Sequence, residues 1–227
     1  MKKLIKKIIE KTGYTLVKLE RLNHYQRMLP LKIKHFLDVY FSNVDTQTFF
    51  FIQIGAHDGK HNDHLYPYII KYKLKGLALE PQKDVFKQLQ ETYKDYSNVQ
   101  CVNMAIGKKN GRKPFFTVKG ESSLGTFNKS LLEQYKDFVQ ETVVDVITFD
   151  DLVNKFNFNK IDFLQIDCEG YDFDIIKMID FKKFSPQIIN YESVLLSEED
   201  RKNCEQYLAS LGYKMFRYER DTCAYKV

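Results

Sequence analysis

The chain has 227 residues, of which 44% are hydrophobic, so it can bury one substantial core but is too short for two full domains. Its formal net charge is +5, yet residues 1–36 hold ten basic and two acidic side chains, which leaves the remainder slightly acidic. Enzymes that act on nucleic acids usually carry their basic surface around the active site. The distribution therefore argues against a nucleic-acid partner. The four cysteines form no Cys-x-x-Cys pair, which gives no sign of a zinc knuckle or a disulfide framework and favours a reducing compartment.

The first segment, residues 1–11, interleaves lysines with Leu4, Ile5, Ile8 and Ile9 at helical spacing, which predicts an amphipathic basic helix. Such a helix either makes peripheral contact with an anionic membrane or a partner protein, or packs on its own domain. No apolar run has the length of a signal-peptide core or a membrane span. We therefore predict a cytoplasmic protein, with contact to the inner face of a membrane as one option.

Two regions follow from the pattern: a basic helical extension over residues 1–46 and a main domain over residues 47–227. The extension includes a second helix that follows Pro30 and ends near Tyr40. Strands and helices alternate in the main domain, which predicts an α/β fold with a parallel sheet. The predicted strands are 49–54, 75–81, 99–106, 142–147, 161–167 and 187–191, with a closing pair at 213–218 and 222–226. The predicted helices are 63–73, a polar helix ending at Tyr93, 149–156, 172–179 and 197–211.

Residues 107–127 interrupt this alternation. An Asn110-Gly111 pair stands beside a β-rich run, and Asn-Gly is a common hairpin turn. We therefore predict a β-hairpin inserted at the edge of the sheet.

The first strand of the main domain ends abruptly in Gly55-Ala56-His57-Asp58-Gly59. Glycine tolerates positive φ and lets a backbone approach a ligand, and a helix N-terminus just beyond the turn offers unpaired N–H groups. The turn is typical of a site for a nucleotide-like cofactor, although a plain loop has the same appearance.

Polar residues follow the next two strands. Ligands of open parallel sheets bind beyond the carboxyl ends of the strands. Glu80 stands there, and its carboxylate can accept hydrogen bonds from both hydroxyls of a ribose, or can cap the helix that follows Pro81. The third strand ends in the segment that holds Asn103 and Ala105, where a polar side chain and backbone amides can meet an adenine edge.

Three further acids end later strands: Asp167, Glu169 and Glu192. Acids beside a cofactor can hold a substrate hydroxyl, accept its proton, or bind a divalent cation such as Mg²⁺ that lowers its pKa. The alternative is that Asp167 caps the next helix while Glu169 is solvated.

A local cluster of His57, Asp58, His61, Asp63 and His64 permits two readings. The cluster could hold a transition metal, or its members belong to the cofactor turn and the rim of the site. In the second case His61 or His64 is a candidate general base, because imidazole titrates near neutral pH.

Two cofactor classes suit the predicted sheet. A dinucleotide oxidoreductase would have Gly-x-Gly-x-x-Gly, whereas this turn has Ala in place of the second glycine. S-adenosylmethionine has no pyrophosphate to hold and needs fewer glycines. The alternatives that remain open are an NAD-dependent nucleotide-sugar oxidoreductase and a non-catalytic module that binds S-adenosylmethionine.

An ordered set of segments resembles the FkbM-type S-adenosylmethionine-dependent methyltransferases. The segments are 54–59, 79–81, 103–107, 122–124, 146–152 and 161–171, and the resemblance covers about residues 48–226. The chain departs from that family in having His57 where the family usually has Asn and Gln165 where it usually has Lys.

The resemblance implies a class I methyltransferase fold of Rossmann-like type. Its sheet would have seven mostly parallel strands with an antiparallel last strand, and helices on both faces. The implied activity is methyl transfer to a hydroxyl of a sugar, glycan or related small molecule. Donor contacts are implied at Gly55, Ala56, His57, Asp58 and Gly59 for the aminoacyl part, Glu80 for the ribose, and Asn103 and Ala105 for the adenine. Asp167 and Glu169 would face the methyl group and the acceptor.

Overall fold

A computed structural model of the chain describes residues 33–226. The predicted helix over residues 1–11 and most of the predicted extension lie outside the described residues. The second predicted helix is present as α1 (Ile33–Phe41). None of the helices within residues 33–226 combines the length and the apolarity needed to cross a membrane.

Strands and helices alternate through the main domain as predicted. The remaining α-helices are α2 (Tyr66–Tyr72), α3 (Lys83–Tyr93), α4 (Phe149–Phe156), α5 (Asp172–Lys177) and α6 (Glu198–Ser210), with a 3-10 helix at Lys129–Phe138. The strands are β1 (Phe50–Ile54), β2 (Lys75–Leu79), β3 (Val99–Val102), β4 (Ala105–Ile106), β5 (Gly111–Val118), β6 (Glu121–Thr126), β7 (Val139–Ile147), β8 (Phe163–Ile166), β9 (Ile188–Glu192), β10 (Lys214–Tyr218) and β11 (Asp221–Tyr225).

The main sheet has seven strands in the order β10-β11-β9-β8-β1-β2-β3. All neighbours pair in parallel except β11, which is antiparallel to both β9 and β10. The predicted mostly parallel seven-stranded sheet with an antiparallel last strand is confirmed. Its carboxyl edge therefore collects the residues that follow β1, β2, β8 and β9.

A second sheet of four strands, in the order β4-β7-β5-β6, corrects three predictions. The predicted strand 99–106 breaks in two, and its end joins the second sheet as β4. The predicted strand 142–147 is part of β7, which pairs antiparallel with β5 instead of joining the main sheet. The predicted hairpin is β5–β6, and it belongs to this second sheet rather than to the edge of the main one.

The hairpin also turns at a different place. Val118 pairs with Glu121, so the turn is Lys119-Gly120 and not Asn110-Gly111. Asn110 is used otherwise, because its Oδ1 accepts from the Thr148 N–H at 2.8 Å and its Nδ2 donates to Asp151 at 2.5 Å. The Asn110 side chain thus fastens the start of β5 to the first turn of α4.

Helices cover both faces of the main sheet. On one face Ile33, Leu37 and Phe41 of α1 are buried in the same cluster as Phe51 and α2. The Phe41 ring stacks on Tyr68 with 4.7 Å between ring centroids. The other face holds Ile52, Ile54, Leu164 and Ile166 against α4, α5 and α6. Each such side chain contributes about 1.5–3 kcal/mol when fully buried, so the two layers fix the strands whose ends carry the site.

Candidate active site

A cavity of about 580 Å³ opens at the carboxyl edge of the main sheet. That volume lies in the usual range for small-molecule sites. One part of the wall is largely apolar and the other is rich in carboxylates. The apolar part includes Met104, Ala105, Ile106, Phe115, Phe127, Tyr171 and Ile175, and the acidic part includes Asp63, Asp167, Glu169, Glu192, Glu219 and Asp221.

The turn after β1 requires glycine at its first position. Gly55 has φ of +79°, and a Cβ there would lie 1.8 Å from the Asp167 carbonyl oxygen. The Gly55 and Ala56 N–H groups donate to the Leu79 carbonyl at 3.0 and 2.8 Å. The turn is therefore held tightly against the ends of both β2 and β8.

His57 occupies a backbone position with φ of +49°. Asn, Asp and His are the non-glycine residues most enriched in this left-handed region. The family's usual Asn and this chain's His are thus both residue types that suit a left-handed backbone position. The His57 ring reaches further than Asn, and its Nε2 lies 2.9 Å from the Ser122 hydroxyl on β6.

Glu80 is almost fully buried at the end of β2, with 3% of its surface exposed. Its carboxylate accepts from the N–H groups of His57 at 3.1 Å and Gln82 at 2.9 Å. Burial raises the pKa of Glu80 to about 7, although both hydrogen bonds act in the opposite direction. Glu80 lines the cavity beside the turn, as do Gly55, Ala56 and His57.

Three residues predicted to contact the cofactor do not line the cavity: Asp58, Gly59 and Asn103. Asp58 accepts from the N–H groups of Lys60 and His61 and contacts the His61 ring. The Asn103 amide donates to the carbonyls of Glu80 and Pro81 at 2.8 and 3.0 Å. These side chains hold the loops that carry Glu80 and the turn, and Met104 and Ala105 reach the cavity from the Asn103 segment.

His61 and His64, which follow β1, lie in different surroundings. The His61 side chain is 77% exposed and is paired with Asp58. His64 packs edge-on against Tyr218, with 5.5 Å between centroids, and its Nε2 lies 4.0 Å from the Glu219 carboxylate. Both line the cavity, yet within residues 33–226 these histidines do not converge into a group of metal donors. The transition-metal interpretation of this segment therefore stays a prediction.

Asp167, Glu169 and Glu192, here called the acid triad, do converge. Each offers a carboxylate oxygen, and the three atoms lie within 4.8 Å of one another. Glu169 and Gly170 take positive φ values of +46° and +90°, which turn the chain sharply after β8. Sequence spacing predicted acids on one rim, and the parallel order of β8 and β9 brings them together.

Glu192 is buried, with 3% of its surface exposed. Its Oε1 accepts from Nε and Nη2 of Arg220 at 2.9 and 2.6 Å. Its Oε2 is buried and finds no hydrogen-bond partner in the part of the chain that the structure describes. Sequence reasoning missed Arg220, because a turn between two late strands gives no sign of which strand end it will approach.

The carboxylates of the acid triad lie close to one another and to the further acid Asp172. Asp167 is exposed at the cavity, yet desolvation by the surrounding residues and the charges of Glu192 and Asp172 raise the pKa of its carboxyl well above the usual range. Burial and the Glu192 charge raise the pKa of Glu169 to about 7, while Arg220 acts in the opposite direction. Such carboxylates do not all ionise at once near neutral pH. The group can therefore take up a proton near neutral pH, where an isolated acid would stay ionised.

Strand β6 of hairpin β5–β6 borders the cavity and contacts the loop after β2. The Gln82 side chain donates to the Ser122 carbonyl at 3.0 Å. A Cβ on Gly125 would lie 2.8 Å from both the Gln82 amide and the Phe115 ring. Residues 122–125 thereby line the cavity, and Ser122 lies next to the β1 turn through its contact with His57.

The family model described as the Methyltransferase FkbM domain matches residues 53–215, which is more than half of the chain. No curated protein matches the chain.

Among solved structures, Methyltransferase FkbM from Methylobacillus flagellatus KT is similar, with a TM-score of 0.53 and 17% identity. The match covers 82% of this chain and 47% of that protein, so this chain spans about half of its length. A precorrin-6y C5,15-methyltransferase from Geobacter metallireducens GS-15 is 12% identical, with a TM-score of 0.44 and coverage of 83% and 87% of the two chains. A human methyltransferase 10 domain containing protein is 13% identical, with a TM-score of 0.45 and coverage of 96% and 92%.

The last two TM-scores are below 0.5, so the fold assignment rests on the Methylobacillus structure and on the strand order. The family assignment rests on the domain match over residues 53–215. The chain therefore belongs to the FkbM family of methyltransferases, whose methyl donor is S-adenosylmethionine.

Proposed function

We propose that this protein transfers the methyl group of S-adenosylmethionine to a hydroxyl of a sugar, glycan or related small molecule. The observation that carries the proposal is the meeting of a glycine turn, a buried Glu80 and the acid triad in one cavity. The first two suit the donor, and the triad suits an acceptor that must lose a proton.

In this proposal the donor lies across β1 and β2. Glu80 accepts hydrogen bonds from the ribose hydroxyls, and the segment Gly55 to His57 lies along the aminoacyl part. The apolar wall around Ala105 and Phe127 suits the adenine ring. The sulfonium then points toward the acid triad, whose negative charge is complementary to it.

The chemical step is an in-line displacement. The acceptor oxygen forms a bond to the methyl carbon while the carbon–sulfur bond breaks, and its electron pair returns to sulfur to give the neutral thioether. The hydroxyl proton passes to Asp167, with Glu169 and Glu192 sharing the charge. A sugar hydroxyl is a very weak acid, so a base at this position is needed. His64 at the rim, or His61, is the alternative proton acceptor.

We propose Mg²⁺ at the acid triad as the alternative to proton transfer to Asp167. Carboxylate oxygens are the ligands that this ion prefers, and Glu192 Oε2, which has no hydrogen-bond partner among residues 33–226, is available. Bound there, the ion would lower the pKa of the acceptor hydroxyl. Chelation followed by titration with Mg²⁺ tests this point, because activity that is unchanged by a chelator would remove the ion from the mechanism.

The central experiment combines calorimetry with a transfer assay. We expect S-adenosylmethionine to bind, and labelled methyl to appear on at least one member of a panel of methyl glycosides. Glu80→Ala should weaken donor binding at least tenfold, whereas Asp167→Ala should mainly lower turnover. Equal loss of donor binding in both variants would contradict this division of roles, and failure of the wild type to bind the donor would refute the proposal.

Other outcomes identify the rival interpretations. Donor binding without turnover on any acceptor would indicate a non-catalytic binding module. A nicotinamide signal on mixing with NAD would indicate an oxidoreductase.

We also propose that the protein acts in the cytoplasm and that residues 1–11 contact anionic lipid. The segment carries five lysines among its apolar residues. Co-sedimentation of the full chain with phosphatidylglycerol vesicles, but not with phosphatidylcholine vesicles, is the expected result.

A further inference from the structure

Two neighbouring rows of side chains on one face of the main sheet differ sharply in polarity. Phe51, Phe163 and Ile188 pair in register across β1, β8 and β9 and are all buried under α1 and α2. Two residues further toward the carboxyl ends, the same three strands place Gln53, Gln165 and Asn190 in register. We call these three residues the amide row.

The amide row is buried, with exposed fractions of 4%, 8% and 1% for Gln53, Gln165 and Asn190. Central parallel strands covered on both faces normally carry apolar side chains. Three consecutive amides at such positions need a compensating set of hydrogen bonds or a use.

The row is only partly satisfied by the protein. Gln53 Nε2 donates to Asp63 at 3.0 Å, and Asn190 Nδ2 donates to Asp221 at 2.9 Å and to Gln165 Oε1 at 3.2 Å. The Tyr218 hydroxyl donates to Asn190 Oδ1 at 2.8 Å. Gln53 Oε1, however, is buried without a partner among residues 33–226. An unmet buried acceptor costs about 1–3 kcal/mol.

The row lies under the acidic part of the cavity. Gln53 and Gln165 both line it, together with Asp63 and Asp221 at the two ends of the row. Gln165 stands two residues before Asp167, so it lies beside the acid triad. Glu80 instead follows β2, on the opposite side of β1 from β8.

We infer that Gln53 and Gln165, supported from behind by Asn190, form the floor of an acceptor subsite that recognises the hydroxyl groups of a neutral polyhydroxylated ligand. The inference rests on the proposed function, since it assigns this floor to the acceptor of the transfer. An amide offers both a donor and an acceptor without charge, and each sugar hydroxyl needs both. A ligand that lacked those hydroxyls would leave the buried amides unpaired, which disfavours it strongly.

The test uses saturation-transfer NMR on the full chain, with and without S-adenosylhomocysteine. The probes are the methyl glycosides of glucose, galactose and mannose, and cyclohexanol serves as a ring with a single hydroxyl. We expect at least one glycoside to bind the wild type, with cyclohexanol at least tenfold weaker.

Gln165→Met is the informative variant. It keeps the size of the side chain and leaves Asn190 its bond to Asp221, so the melting temperature and the affinity for S-adenosylhomocysteine should stay unchanged. Glycoside affinity should fall at least tenfold. Gln165→Asn, which retains an amide but shortens its reach, gives the second variant if the methionine form fails to fold. Gln140→Met, at an exposed position of β7 that does not line the cavity, is the matched control.

Two results would overturn the inference: no glycoside binds the wild type, or Gln165→Met binds the glycosides as well as the wild type does. A different result would refute the proposed function without affecting this inference. Glycosides that bind to a protein with no affinity for S-adenosylmethionine would refute methyl transfer while leaving the amide row as a sugar-binding floor.

Discussion

The backbone of His57 lies in the left-handed region and its ring contacts Ser122. We expect His57→Asn to keep the turn and lose the ring's contacts with Ser122 and Asp58, with donor affinity within about threefold of wild type and a loss of stability below about 1 kcal/mol. His57→Val places a β-branched side chain at positive φ and should cost about 1–3 kcal/mol. Urea unfolding of the two variants measures the difference. Equal stability of both would show that φ does not constrain this position.

Glu80 links the stability of the protein to pH. Its pKa is raised from 4.5 to about 7 in the folded state, so ionisation costs stability as the pH rises through that interval. Glu80→Gln cannot ionise and is spared the cost. The free energy of unfolding of the variant, relative to wild type, should therefore increase by up to about 3 kcal/mol between pH 4.5 and 7. A relative stability that is flat across this interval would contradict the buried environment of Glu80.

The sequence predicted which residues meet in one cavity where the end of a strand sets the position of the residue. Glu80, Asp167, Glu169 and Glu192 line one cavity because parallel strands bring their carboxyl ends together. The same reasoning could not foresee that Asp58 and Asn103 hydrogen-bond to backbone. The direction of a loop side chain depends on local φ and ψ and on neighbours distant in sequence, and no residue pattern encodes these.

At the scale of elements, hairpin β5–β6 supplies one wall of the cavity, beside Ala105 and Ile106 of β4. Gly125 allows its close approach to Gln82 and Phe115. Gly125→Val should push the hairpin outward and weaken donor binding about tenfold, by the loss of one wall of the site. Calorimetry measures the effect. Thr117→Val, at the position that pairs with Gly125 across the hairpin, should bind the donor normally.

The alternation of apolar runs in the sequence predicted the number and order of strands and helices. It did not predict which of the two sheets each strand joins. Residues 99–106 are mostly apolar and are predicted as one strand, whereas the chain leaves the main sheet after Val102 and enters the second at Ala105. Hydrophobicity reports burial and does not distinguish one sheet from another. In the structure the break lies at Asn103, whose amide donates a hydrogen bond to the Glu80 carbonyl.

At the scale of the whole molecule, α1 seals one face of the main sheet. Phe41 is 2% exposed and contacts the rings of Tyr68, Tyr72 and Phe49. Phe41→Ala should cost about 3–5 kcal/mol of unfolding free energy, as for other buried aromatic residues. Phe138 is 60% exposed, and Phe138→Ala should change stability by less than about 0.5 kcal/mol. Denaturant unfolding of both variants checks the contrast.

The position of β11 between β9 and β10 has a consequence for synthesis. Strand β10 emerges first, yet it cannot dock beside β9, because β11 pairs with both. A nascent chain that ends before residue 220 therefore lacks the Arg220 partner of Glu192 and the Asp221 partner of Asn190. Strands β1 to β3 can assemble on the ribosome before the last strand is made. The acidic part of the cavity is complete only after β11 has been synthesised. The donor side of the cavity is thus expected to mature before the acceptor side within a single round of translation.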